Sequence, residues 1–161
     1  MSQTVSPFNS PLETGVRALS ILEAAHPDSC DLQKLIELDY LVVHSGDVGG
    51  PASLHAALPM RAGELLVRRE IIEKGLLLMA SRGLVERVAH PDGIHFRAGE
   101  AAAPYLEALT APYLIELRAR ARWAVQAFGD KSSEAMRAIT QRFFEKWTTE
   151  FQPRQLPGLG S

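Results

Sequence analysis

LDYLVVHSGDVGGPASLHAALPMRAGELLVRREIIEKGLLLMASRGLV, residues 38–85, is the stretch on which the fold turns. It begins in an apolar helix that stops at His44 and ends in a second, longer helix closed by Gly83. Between them, residues 45–61 hold two prolines and three glycines. A connection of that length is not the tight turn of a helix-turn-helix, which takes about three or four residues. Nor is HSGDVGGP a phosphate-binding loop, because it follows a helix rather than a strand and lacks the lysine and following Ser/Thr such a loop needs. Gly46, Gly49 and Gly50 read instead as the means by which the chain reverses over the helix ends, since glycine adopts conformations other residues resist. Asp47 is then displayed on a shaped loop, where it is a candidate contact for a partner protein.

On the N-terminal side, Ser10-Pro11-Leu12-Glu13 is a capping-box pattern with proline at the first helical position, where its missing N–H costs nothing. Leu12, Val16, Leu19 and Leu22 recur at helical spacing until His26-Pro27 ends the run. Asp31 caps a second helix carrying Leu32, Leu35, Ile36, Leu38 and then Val42 or Val43. The third helix spans about Gly63 to Arg82. After it, residues 84–88 and 94–97 alternate as short strands around Pro91-Asp92-Gly93, which predicts a hairpin. Residues 100–109 form a short helix interrupted by Pro104. Thr110 caps a longer helix striped by Tyr113, Leu117, Ala121, Ala124 and Phe128. A last helix, residues 133–151, carries Met136, Ile139, Phe143 and Trp147 at spacings of three and four. The expected fold is mainly α with a small β-hairpin. A winged-helix-like domain spans 10–98, and a C-terminal helical extension, packed as a helical hairpin, spans 99–151. Residues 1–9 and 152–161 are expected to be flexible tails.

The 161 residues, 46% of them hydrophobic, suffice for one compact domain with an appendage. A formal charge of −2 provides no long-range field to gather nucleic acid, membrane surface or acidic substrates. Cys30 is the one cysteine, which excludes an internal disulfide or a multi-cysteine zinc site and fits a reducing compartment. Residues 1–11 lack a basic region followed by an apolar run, and nowhere do about 18 apolar residues follow one another. The expectation is a soluble, cytoplasmic chain without membrane association.

Four constellations bear on chemistry. His44, Asp47 and His55, with Asp39 one turn earlier, supply imidazole and carboxylate groups. Yet there is no His-x3-His pair, and the loop would have to fold back to join the two histidines, so no metal is expected and His44 reads as the cap of its helix. No serine sits in a nucleophile elbow and no carboxylates oppose each other, so catalysis is not expected, and neither is a cofactor. A winged helix suggests DNA, with Arg68, Arg69, Lys74 and Arg82 on the reading helix. At about 100° per residue, however, Ile71, Ile72, Leu76, Leu78 and Met79 face the core. That leaves an outward arc of Leu66, Arg69, Glu70, Glu73, Lys74 and Leu77. Carboxylates repel phosphates, whereas apolar groups ringed by both signs of charge suit a protein interface. His44, Asp47, Leu66, Arg69, Glu70, Glu73 and Leu77 are therefore the candidate partner-binding residues. Glu64 and Arg68 stand four apart in the favourable order for an ion pair. Arg118, Arg120 and Arg122 are the densest basic cluster and the candidate nucleic-acid contact.

The sequence also resembles a known family. Leu-Asp-Tyr-Leu at 38–41, the HSGDVGGP loop at 44–51, Ser-Leu-His at 53–55 and Glu-Leu-Leu-Val-Arg-Arg-Glu at 64–70 are similar to the middle component of the bacterial ABC-three component systems, also called Lamassu-type. The loop followed by LLVRRE is the most specific part, and the resemblance extends from Ser10-Pro11 through Gly83-Leu84-Val85 toward Phe128. It implies a non-catalytic adaptor whose partners are a large SMC-like ABC ATPase and an effector subunit, often a nuclease, in defence against phage or plasmids. DNA would be met through the assembled complex. A stand-alone winged-helix DNA-binding transcriptional regulator is the alternative, and a small metal-dependent enzyme a third reading.

Overall fold

Residues 10–54 and 62–151 are described by a computed structural model, apart from the side chains at 47, 62–66 and 143–151. Helix α1 spans Pro11–Ala25, β1 Cys30–Asp31, α2 Leu32–Val43, α3 Ala62–Ser81, β2 Val85–His90, β3 Gly93–Ala98, α4 Ala102–Glu107, α5 Pro112–Phe128 and α6 Ser133–Phe151. A single 3-10 turn, Ser45–Val48, follows α2. The expected mainly α fold with a β-hairpin is present. His55 and both tails lie outside the described residues.

Local chemistry sets the element boundaries as expected at the first two helices. Ser10 Oγ accepts from the Glu13 amide at 3.2 Å, and Asp31 Oδ1 accepts from the Lys34 amide at 2.7 Å, each satisfying a backbone donor that the helix itself leaves open. Helix α5 departs from expectation: it begins at Pro112, without a side-chain cap, so Thr110 lies outside it. The hairpin closes through Pro91-Asp92, and Gly93 takes φ 135°.

One element escaped sequence reading. Cys30–Asp31 pairs antiparallel with β3, Cys30 opposite Phe96 and Asp31 opposite His95, which makes a three-stranded sheet in the order β1-β3-β2. Two residues leave no periodicity to detect. The cysteine is buried, and burial pushes its thiol up to about 11, so Cys30 is an inert core group.

Helices α1 and α2 are buried almost all round, residues 14–22 of the first and 35–43 of the second. Leu19, Ile21, Leu22, Leu38 and Leu41 are shut off from solvent, and such burial contributes about 1.5–3 kcal/mol per side chain. Helix α1 crosses α3 where Gly15 meets Gly75; a Cβ on Gly75 would stand 2.7 Å from the Gly15 nitrogen. No side chain fits between the two backbones there. Helix α5 packs on α1 and α2, and α6 on α2, so Leu117, Ala121, Ala124 and Met136 join the same core as the first three helices.

Candidate functional site

The outward side of α3 carries the groups the helical arc predicts. Arg69, Glu70, Glu73, Lys74 and Leu77 are exposed, while Ile72, Leu76 and Met79 are buried and Ile71 and Leu78 half-buried. Leu77 is 56% exposed, and so is Val67, which the sequence reading left out. The residues between them in the stripe, Glu70 and Lys74, bear opposite charges. Arg69 Nε lies 3.3 Å from Glu73 Oε1 at the helix surface. Beside Glu73 and Leu77 opens a groove of about 280 Å³, bordered by Leu32 at the start of α2 and by Arg87 and Phe96 on the sheet. It gives the exposed leucine an apolar floor and a charged rim. The side chains of Asp47 and Leu66 lie outside the described residues.

His44 sits elsewhere. It is the C-terminal cap of α2, its amide donating to the Tyr40 carbonyl at 3.0 Å, and its ring is buried 4.8 Å from the Tyr40 ring. The helix-end position was legible; the inward turn of the imidazole was not. The glycine-rich loop that follows is held by its own hydrogen bonds. Ser45 Oγ donates to the Pro51 carbonyl at 2.8 Å, the Gly46 amide to Ser53 Oγ at 2.9 Å, and the Gly50 amide to the Ser45 carbonyl at 2.9 Å. Gly50 lies against the indole of Trp123, where a Cβ would come 2.2 Å from a ring carbon.

The basic cluster of α5 divides between tasks. Arg120 donates through Nε and Nη2 to the Ala52 carbonyl at 3.2 and 3.0 Å, tying the loop to the helix. Arg118 is half-buried and Arg122 exposed, so the three do not share one free surface.

Behind the α3 face lies a charge network that sequence reasoning missed. Arg17 is 1% exposed; its Nε donates to Asp39 Oδ1 at 2.7 Å and its Nη1 to Glu13 Oε2 at 2.5 Å. Arg68 Nη1 donates to Asp39 Oδ2, and its guanidinium lies 5.7 Å from the centre of the Tyr40 ring. Tyr113 donates to Glu13 Oε1 at 2.9 Å. Thus α1, α2, α3 and α5 are joined by one set of ionic hydrogen bonds. Burial alone would raise the Asp39 carboxyl, but Arg17 and Arg68 outweigh it and hold the pKa below its ordinary value. For Glu13 burial wins over Arg17, and the pKa is raised. Arg68 faces inward, which withdraws it from the phosphate contact; the side chain of Glu64, its expected partner, lies outside the described residues. Its signal in the sequence is weak: an inward-facing arginine looks like a surface one until its carboxylate partner is in place.

Among the described residues, the side chains that approach one another at ligand distance are His90, Asp92 and His95 at the hairpin turn; of the set near the glycine-rich loop, His55 and the side chain of Asp47 lie outside the described residues. No helix among the described residues is long and apolar enough to cross a membrane. No curated protein and no solved structure matches the chain. A family model described as the ABC-three component (ABC-3C) system Middle Component 2 does match, over residues 7–150, in agreement with the resemblance carried by the HSGDVGGP loop and LLVRRE, and the chain belongs to that family.

Proposed function

We propose that this chain is a non-catalytic, cytoplasmic adaptor of an ABC-three component system, docking onto the SMC-like ABC ATPase through the outward face of α3 and linking it to an effector, often a nuclease. Membership in a middle-component family supplies the setting. The observation that carries the docking face is the groove between α3 and the sheet, lined by Glu73 and Arg87 with Leu77 56% exposed at its edge, and with Arg69 and Glu70 exposed on the same helix. An exposed leucine above an apolar floor gains from being covered, and the mixed charges give the cover a register. ATP turnover and cutting then belong to the other subunits, and this chain transmits between them. DNA is met through the complex.

Co-expression with the ATPase and effector of its own system, followed by affinity capture and size-exclusion chromatography, tests this. Leu77→Asp is expected to leave the isolated chain folded, since the position is exposed, and to reduce recovery of the ATPase by at least about tenfold, the loss of roughly 1.4 kcal/mol at an anchor. Glu73→Arg, at the exposed rim, should weaken capture less, through slower, salt-sensitive association. Undiminished assembly of the Leu77→Asp chain would remove this face.

The order of elements, helix, short strand, two helices and a two-stranded hairpin, favours the winged-helix reading and keeps direct DNA binding as the second proposal. A mobility-shift series over salt separates the two. Tight, sequence-selective binding by the isolated chain at physiological salt supports the regulator; weak binding that fades with salt supports the adaptor.

A further inference from the structure

The hairpin turn holds three side chains for which the docking face has no use. Strand β2 ends at His90 and β3 begins at Gly93, and the register sets Val88 opposite His95 and His90 opposite Gly93. Side chains alternate along a strand, so positions 90 and 95 stand on one face of the sheet as diagonal neighbours. Their rings stack with centroids 4.0 Å apart and planes 18° from parallel. Asp92, in the turn, brings Oδ1 to 2.5 Å from His90 Nδ1 and 2.7 Å from His95 Nε2. One ligand atom from each residue lies within 4.8 Å of the other two.

We propose that His90, Asp92 and His95 form a binding site for a divalent transition-metal ion of the zinc class. Two imidazoles and a carboxylate are a donor set zinc accepts, whereas magnesium and calcium call for oxygen. Zinc–ligand distances of about 2.0–2.2 Å place neighbouring ligand atoms about 3.3 Å apart in a tetrahedron. Reaching that geometry opens each Asp92 contact by less than about 1 Å and tilts the two rings out of their stack so that their lone pairs converge. Both adjustments fall in an exposed turn, where the His90 side chain is 45% and that of Asp92 62% exposed.

His95 has a hydrogen-bond partner behind its ring of the kind that orients a metal-binding imidazole. Ser29 Oγ, on the link between α1 and β1, lies 3.3 Å from His95 Nδ1. With Nδ1–H donating to that hydroxyl, the Nε2 lone pair is left on the Asp92 side for the ion. His90 and His95 also border a groove of about 580 Å³ whose rim includes Asp28, Lys34 and Asp130. Three protein ligands leave at least one position of a four-coordinate ion for water or an incoming group, and the groove gives that group room. The site shares no residue with the α3 docking face, so either proposal can fail without the other.

The test uses the full chain without a histidine tag, stripped with a chelator and titrated with Zn2+ against a chromophoric competitor. One equivalent is expected to bind saturably, with Co2+ in its place giving the visible absorption of a low-coordinate histidine site. His90→Ala and Asp92→Asn should each weaken the affinity by at least about tenfold, while His55→Ala leaves it unchanged. Both ligand positions are exposed, so the metal-free melting curves of these two variants should overlay the parent's and certify that they fold. No saturable equivalent of Zn2+, or an equivalent that survives both ligand substitutions, overturns the proposal.

Discussion

Asp39 and Asp92 are wired alike and do opposite things. Each carboxylate lies between two nitrogen-bearing side chains, Asp39 accepting from Arg17 and Arg68, Asp92 with Oδ1 at hydrogen-bond distance from His90 and His95. The Asp39 side chain is 2% exposed and that of Asp92 62%. In the interior the pairing is compulsory, because an ionised group without a partner is costly there. On the turn water can replace either histidine, so the contact contributes little to the fold and the same atoms are available to something else. Burial, more than the wiring, decides whether a carboxylate between two nitrogen-bearing side chains serves as a fastener or as a receptor.

The sharpest way to break this comparison is to neutralise the buried member. Asp39→Asn keeps the shape but leaves Arg17 enclosed with Glu13 as its carboxylate, and takes from the inward-turned Arg68 its carboxylate among the described residues. Removing one side of a buried pair costs about 3–5 kcal/mol, which urea unfolding followed by circular dichroism reads directly. A loss below about 1 kcal/mol would mean that solvent reaches the network and that Asp39 resembles Asp92 after all.

A smaller effect appears with pH. The folded pKa of Asp39 lies below its ordinary value of 3.8, so its contribution is complete above that value and is lost as pH falls toward the folded pKa. Glu13 has the opposite sign. Its pKa is raised above 4.5, so its contribution is complete below that value and fades as pH rises through the folded pKa. The stability gap between the parent and Asp39→Asn should therefore change only slightly above the ordinary aspartate pKa, where the loss of Asp39 also lowers Glu13, then close by up to about 1.4 kcal/mol for each further pH unit. Urea midpoints at stepped pH follow the gap, and one that has not begun to close a full unit below that pKa would contradict the assigned direction.

The same pair explains what the sequence revealed and what it withheld. Ser10, Asp31 and the Pro91-Asp92-Gly93 turn act within a few residues of themselves, so the helix starts and the hairpin were legible, and helical spacing correctly turned Glu70, Glu73 and Leu77 outward. The Arg17–Asp39 contact joins residues on two helices and depends on how α1 crosses α2 and α3, which no local pattern records. Gly15 and Gly75 were unreadable for the same reason: each looks like an ordinary helical glycine until the other is beside it. Val67 was passed over because its stripe runs along the flank of the arc. The hairpin cluster is a different kind of miss. Once a two-residue turn at 91–92 is accepted, alternation alone places His90 and His95 on one face, and the signal lost out to the histidines flanking the glycine-rich loop.

The smallest effect is the most discriminating, because it asks for nothing to happen. Asp92→Asn is the substitution that unmakes the core at position 39, moved to the turn, where the amide oxygen can still accept from a histidine and water can reach both rings. Without added metal its thermal midpoint should stay within about 2 °C of the parent, as exposed substitutions outside the core do. With saturating Zn2+ the parent should rise, because an ion that binds the folded chain alone stabilises it by mass action, and the variant should rise less. A large loss in metal-free Asp92→Asn would show that the turn holds the fold by its own hydrogen bonds, and the contrast with Asp39 would collapse into one structural role at two depths.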